Sequence, residues 1–110
     1  MVDETTLCGT EQEACVHWSI LNLMPTTKAV DSFQDYLTVD GALEGINYED
    51  ESGWAGPCPS NQIEHTYTTT IYALDIRLEN NVQDKKWTPT EFEATYSQNI
   101  LAKGVSIAIH

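Results

Sequence analysis

The chain has 110 residues, and its 17 acidic residues outnumber its 5 basic ones, which gives a formal net charge of −12. Such a surface repels nucleic acid and anionic lipid headgroups, so an anion can bind only in a local pocket. Hydrophobic residues make up 41% of the chain, and no apolar run approaches the roughly 20 residues that cross a bilayer. We therefore expect one globular domain over residues 1–110, without a nucleic-acid partner or a transmembrane segment.

The first residues do not read as a targeting segment. Residues 1–15 lack both the basic region and the apolar region of a signal peptide. The compartment therefore stays open between the cytoplasm and the periplasm, and the cytoplasm is preferred for the chain as given.

The three cysteines fall into two groups. Cys8 and Cys15 flank a polar loop that contains a glycine. Two alternatives stay open for them: a disulfide that closes this loop, or a pair of reduced thiols. Cys58 lies between two prolines, and we interpret it as a packing residue because no neighbouring base in the sequence would activate its thiol.

The middle of the chain predicts two strands separated by loops. Alternation of residue types predicts a strand over residues 16–24. Residues 26–63 are punctuated by glycine and proline and predict loops. Residues 65–78 are rich in Thr, Tyr and Ile and are apolar on both faces near 71–76, which predicts a central strand covered on both sides. A polar loop over residues 80–86 follows.

A helix is predicted over residues 89–103. Thr88 is a good N-cap, Pro89 suits the first helical position, and Glu91 completes a capping box. Gly104 is a natural C-cap. Helical spacing identifies the side chains that we expect to pack inward, namely Phe92, Tyr96 and Ile100. Alternation over residues 105–109 then predicts a final strand, so the fold class is all-β with one late helix.

Three segments, taken together, carry the signature of a known family. The first is Gly56-Pro57-Cys58-Pro59, followed by His65, Tyr67 and the run Tyr72-Ala73-Leu74-Asp75. The second is Val16-His17-Trp18 with Asn22-Leu23, and the third is Gly45-Ile46-Asn47-Tyr48 with Gly53-Trp54. In their order and spacing they resemble the phosphatidylethanolamine-binding protein family, in its bacterial, Raf kinase inhibitor-like subfamily.

The resemblance implies an antiparallel Greek-key β-sandwich with a late helix. Family members normally carry several more strands before an acidic segment, and residues 1–5 look like the remains of that segment, with Asp3 at its first acidic position. Thr5 stands where the second acid would be. We therefore expect an N-terminally truncated chain, either a fragment or a shortened member of the family, whose lost strands leave an open sheet edge or an uncovered sheet face.

The same resemblance implies a small polar pocket at one end of the sheet. The residues that it assigns to ligand binding are Asp3, His17, Pro57, Pro59, His65 and Tyr67. His65 and Tyr67 lie two residues apart in a predicted strand and so share one face, which supports both assignments. Imidazole N–H and phenol O–H groups donate to phosphate oxygens, so the expected ligand is a small phosphate-like anion or a phospholipid headgroup. Asp3 would either hold an imidazole in one tautomer or accept from a ligand ammonium group.

The predicted function is binding without turnover, with no cofactor and no metal, and by analogy the modulation of a signalling partner. Two alternatives stay open. One is a hydrolase-like enzyme with Cys58 as nucleophile and His65 as base. The other is a structural remnant without a working pocket. A homodimer is also left open.

Overall fold

The computed structural model describes residues 1–8, 13–23, 42–56 and 63–110. Its elements in chain order are β1 (Val2–Cys8), β2 (Glu13–Val16), β3 (Ile20–Leu21), β4 (Leu43–Glu44), β5 (Thr66–Leu74), α1 (Pro89–Tyr96) and β6 (Ile100–Ile109). Two 3₁₀ turns, Asn80–Asp84 and Ser97–Asn99, flank the helix. In this part of the chain the strands form two antiparallel sheets, in the orders β2-β1-β5-β6 and β3-β4. The prediction of a mostly-β fold with one late helix is confirmed.

None of the helices within the described ranges is both long enough and apolar enough to cross a membrane.

The prediction of one continuous strand over residues 16–24 is wrong. β2 ends at Val16, and β3 begins only at Ile20. Between the two strands the backbone changes partners, because the His17 carbonyl accepts from the Ala55 N–H at 2.9 Å. The chain therefore turns from the large sheet towards a different segment, which alternation of residue types does not reveal.

β5 is the central strand that the sequence predicts, since it lies between β1 and β6. It covers Thr66–Leu74, which is shorter than the predicted 65–78. The expectation that it is covered on both faces is wrong, because the Ile71 side chain is 70% exposed.

The hydrophobic core lies where β3, β5 and α1 meet. Its buried residues are Leu21, Leu78, Val82 and Phe92. The ring of Tyr72 on β5 lies 4.9 Å from that of Phe92. Desolvation by burial raises the pKa of Tyr72, and the Glu93 carboxylate adds to the rise. Asn22 ties β3 to the core, because its side chain donates to the Leu78 carbonyl at 3.0 Å and accepts from the Leu78 N–H at 2.8 Å.

The predicted start of the helix is confirmed. α1 begins at Pro89, and the Glu91 N–H donates to the Thr88 side-chain oxygen at 3.2 Å. Phe92 is buried on the core side, and Tyr96 packs against the same core.

Replacing Thr88 by Ala is expected to lower the free energy of unfolding by about 1 kcal/mol, because one helical N–H loses its acceptor. Urea denaturation measures the change. Thr88→Ser is the matched control, since it keeps the hydroxyl, and it should stay close to the parent protein. Equal losses in the two variants would contradict a capping role.

The predicted end of the helix is wrong. α1 stops at Tyr96, and β6 already begins at Ile100. From there the chain pairs with β5, in a register that places Gly104 opposite Ile71 rather than at a helix terminus. Long-range strand pairing has overridden the helical spacing of the sequence, so the predicted strand over 105–109 starts five residues earlier.

Cys8 and Cys15 form a disulfide, which resolves the alternative left open by the sequence. Their Cα atoms lie 5.0 Å apart, within the limit of about 7 Å that disulfide geometry sets. The bond joins the end of β1 to β2, and Cys15 is completely buried. It therefore fastens two adjacent strands of the large sheet.

Candidate ligand-binding site

Strand register brings the predicted site residues onto one face of the large sheet. Asp3 on β1 lies opposite Cys15 on one side and Tyr67 on the other. Opposite residues of a sheet share a face, and so do residues two apart along an extended chain. His65 precedes Tyr67 by two positions, and His17 follows Cys15 by two.

The aromatic rings of this group are in contact. The ring of Tyr67 lies 5.4 Å from that of His17, edge to face, and 6.2 Å from that of His65, stacked. Asp3, His17, His65 and Tyr67 are each at most 5% exposed. We call these four residues the histidine cluster. Both imidazoles therefore lie on the same side of the sheet, as the sequence predicts.

Asp3 holds His65 in place. The Nδ1–H of His65 donates to Asp3 Oδ2 at 2.5 Å, and both side chains are almost fully buried. The other carboxylate oxygen, Oδ1, accepts from the Thr5 N–H at 2.8 Å. Each oxygen of Asp3 thus has a protein donor, so of the two roles predicted for Asp3 the structure contains the first, the orientation of an imidazole.

A backbone carbonyl holds His17. Its Nδ1–H donates to the Ala55 carbonyl at 2.7 Å, because a carbonyl oxygen can only accept. Tyr48 packs against the same ring edge to face, with 4.9 Å between the ring centroids. Both histidines of the cluster therefore have Nδ1 fixed by an acceptor of the protein, which leaves Nε2 as the nitrogen whose protonation changes the charge of each ring.

Asn47 organises the segment that carries Ala55 and Tyr48. It is 2% exposed, and its amide donates to the Gly53 carbonyl at 3.1 Å. Its oxygen accepts from the N–H groups of Glu49 and Glu51, at 2.9 and 3.3 Å. This side chain closes the turn over residues 47–53 and so fixes the approach of the next residues to His17.

The structure describes four of the six predicted ligand-binding residues. It brings Asp3, His17, His65 and Tyr67 together, and their role in binding stays a prediction. Pro57 and Pro59 lie outside the described residues, as does Cys58. Sequence reasoning missed the parts played by Tyr48, Ala55 and Asn47. Asn47 and Tyr48 stand inside a quoted motif and could have been found there, whereas Ala55 acts through its backbone and leaves no signal in the sequence.

Among the described residues, no group of three or more His, Cys, Asp or Glu side chains is arranged to hold a metal ion.

Comparison with known proteins identifies the family. The family model described as phosphatidylethanolamine-binding protein matches residues 2–109, which is almost the whole chain. The chain belongs to the phosphatidylethanolamine-binding protein family. The resemblance drawn from the three sequence segments is therefore correct at the level of the family.

The chain covers only part of the length of two relatives in or similar to the phosphatidylethanolamine-binding protein family. A UPF0098 protein from Methanothermobacter thermautotrophicus is 35% identical over 65 residues, which are 57% of this chain and 42% of the relative. The crystal structure of a phosphatidylethanolamine-binding protein homolog from Chlamydia trachomatis is similar in fold, with a TM-score of 0.69 and 24% identity. That similarity covers 92% of this chain and 61% of the Chlamydia chain. Both matches span less than two thirds of the relative.

Proposed function

We propose that the histidine cluster binds a small phosphate-bearing anion, such as a phospholipid headgroup, without chemical turnover. Members of this family are generally binding proteins rather than catalysts. The observation that carries the proposal is that two buried imidazoles on either side of Tyr67 each have Nδ1 held by a protein acceptor. Protonation at Nε2 then produces cationic donors without any rearrangement of the rings.

The charges of the cluster favour an anion when both imidazoles carry a proton on each ring nitrogen. Asp3 is the only carboxylate within it, and its two oxygens already accept from His65 and from the Thr5 backbone. With both imidazoles protonated, their positive charge exceeds the single negative charge of Asp3. A hydrogen bond from an imidazolium to a phosphate oxygen contributes roughly 1.5–3 kcal/mol. Asp3 is proposed to position His65 rather than to touch the ligand.

Several finer features rest on the resemblance alone. They are membership of the bacterial Raf kinase inhibitor-like subfamily, the Greek-key sandwich, and modulation of a signalling partner. We propose them as consistent with the family match. Cys58, the nucleophile of the alternative enzyme hypothesis, lies outside the described residues.

Calorimetric titration with phosphorylethanolamine, and separately with inorganic phosphate, tests the binding function. In His65→Asn the new amide can still donate to Asp3, but the Nε2 donor is lost, so we expect roughly tenfold weaker binding.

His110→Asn is the matched control, because it removes an exposed histidine at the end of β6 and should leave the affinity unchanged. Thermal unfolding of each variant verifies that it is folded. If folded His65→Asn binds as the parent protein does, the cluster is not an anion site.

A further inference from the structure

β6 presents an open, apolar strand to the surroundings. Nine of its ten residues are exposed, among them Leu101 at 69%, Ile107 at 65% and Ile109 at 66%. Within the described strands β6 pairs only with β5, so its second edge has no strand beside it there. A long apolar edge strand is a template for pairing with another chain.

The register shows which backbone groups point to that open edge. His65 and His110 exchange both of their N–H to O=C bonds at 3.0 Å, so they form a hydrogen-bonded pair. Such pairs alternate along an antiparallel ladder with pairs whose N–H and C=O groups point away from each other. When this alternation is continued along β6 from His110, the residues whose N–H and C=O groups point away from β5 are Lys103, Val105, Ile107 and Ile109. Their side chains also share one face of the sheet.

The distribution of charge indicates which partner fits. The chain carries a net charge of −12, yet neither β5 nor β6 contains an acidic residue. Lys103 is the only charged side chain on β6, and its ammonium group is paired with Glu93 of the helix. Two copies of this acidic chain can therefore pair through β6 without opposing carboxylates on the paired strands, whereas nucleic acid and anionic lipid find no free cation on β6.

We propose that the occupant of this edge is a second copy of the chain, paired β6 to β6 in the antiparallel direction. A twofold axis perpendicular to the sheet at Val105 pairs the segment from Leu101 to Ile109 of one copy with the same segment of the other copy. Lys103 of each copy then lies opposite Ile107 of the partner subunit. Val105 and Ile107 of both copies stay on one face, so the apolar side chains of the two β6 strands form one continuous patch where the two four-stranded sheets join.

The size of the contact sets the expected strength. A single edge strand gives each copy about ten contacting residues, whereas stable interfaces use roughly 20–30 a side. We therefore expect a weak, concentration-dependent dimer, with a dissociation constant in about the micromolar range. This inference does not depend on the proposed anion site, which lies on β1, β2 and the start of β5.

Sedimentation velocity over a range of protein concentrations tests the dimer. In Ile107→Pro the N–H that points to the open edge is removed, while the ladder to β5 loses no donor. We expect this variant to raise the dissociation constant about tenfold or more. Ile107→Val is the matched control, because it keeps both the N–H and an apolar branched side chain, and it should dimerise like the parent protein.

Val105→Lys provides an independent test that keeps every backbone donor. It places two ammonium groups together at the proposed twofold axis, and it should likewise raise the dissociation constant about tenfold or more. Ile71→Lys adds the same charge at an exposed position on β5, on the opposite face and away from the edge, and should leave dimerisation unchanged. A parent protein that is monomeric up to about 1 mM, or a dimer that survives Val105→Lys, would overturn the proposal.

Discussion

Replacing Asp3 by Ala is expected to lower the free energy of unfolding by about 3 kcal/mol, the largest loss that we foresee for a single side chain. The carboxylate is buried, and it accepts from His65 Nδ1 at 2.5 Å and from the Thr5 N–H at 2.8 Å. Its removal takes the acceptor from a buried donor, His65 Nδ1, and from the more exposed Thr5 N–H. Urea denaturation, with the slope checked for two-state behaviour, measures the loss.

A conservative variant and a double-mutant cycle show whether the pair itself accounts for this loss. Asp3→Asn keeps an acceptor for Thr5 and should cost less, about 1 kcal/mol. Combining Asp3→Ala with His65→Ala should cost clearly less than the sum of the single changes, because the second change then removes no further contact between the pair. Additive losses would show that Asp3 and His65 do not stabilise the fold through each other.

Removing the disulfide is expected to have the second largest effect. Cys8 and Cys15 are separated by seven positions, and closing a loop of this size stabilises a protein by about 2.5 kcal/mol in the chain-entropy description. The double variant Cys8→Ala and Cys15→Ala should lose about that much on urea denaturation. The site should also loosen, since Cys15 lies directly opposite Asp3.

Reductant gives the control for this experiment. Dithiothreitol should destabilise the parent protein by a similar amount, and it should leave the double alanine variant unchanged because that variant has no disulfide to reduce. A parent protein that is equally stable with and without reductant would show that the bond does not stabilise the fold.

The histidine cluster was largely predictable because its residues follow simple rules. His65 and Tyr67 share a face by the two-residue period, and the family motif adds His17 and Asp3. The hydrogen bond that holds His17 could not be predicted, because its acceptor is the backbone of Ala55, which any residue would supply.

Errors in the fold prediction arose where distant pairing replaced local preference. Phe92, Tyr96 and Ile100 have helical spacing, but Ile100 is the first residue of a strand paired with β5. The exposure of Ile71 could not be foreseen either, because an apolar strand is covered only if other elements of the chain lie over it. Local signals at Thr88, by contrast, act within four residues and were read correctly.

The long sequence separation of the contacts in the histidine cluster has a consequence for the order of folding. Asp3 and His65 are 62 residues apart in the chain, and His17 and Ala55 are 38 apart. The first turn of α1 forms from near neighbours, but the cluster exists only after β1 has found β5. Closing such long loops costs entropy before their contacts form, so these pairings come late and slowly. During synthesis, Asp3 and His17 leave the ribosome well before His65 and Tyr67. The cluster can therefore assemble only after these later residues have been made.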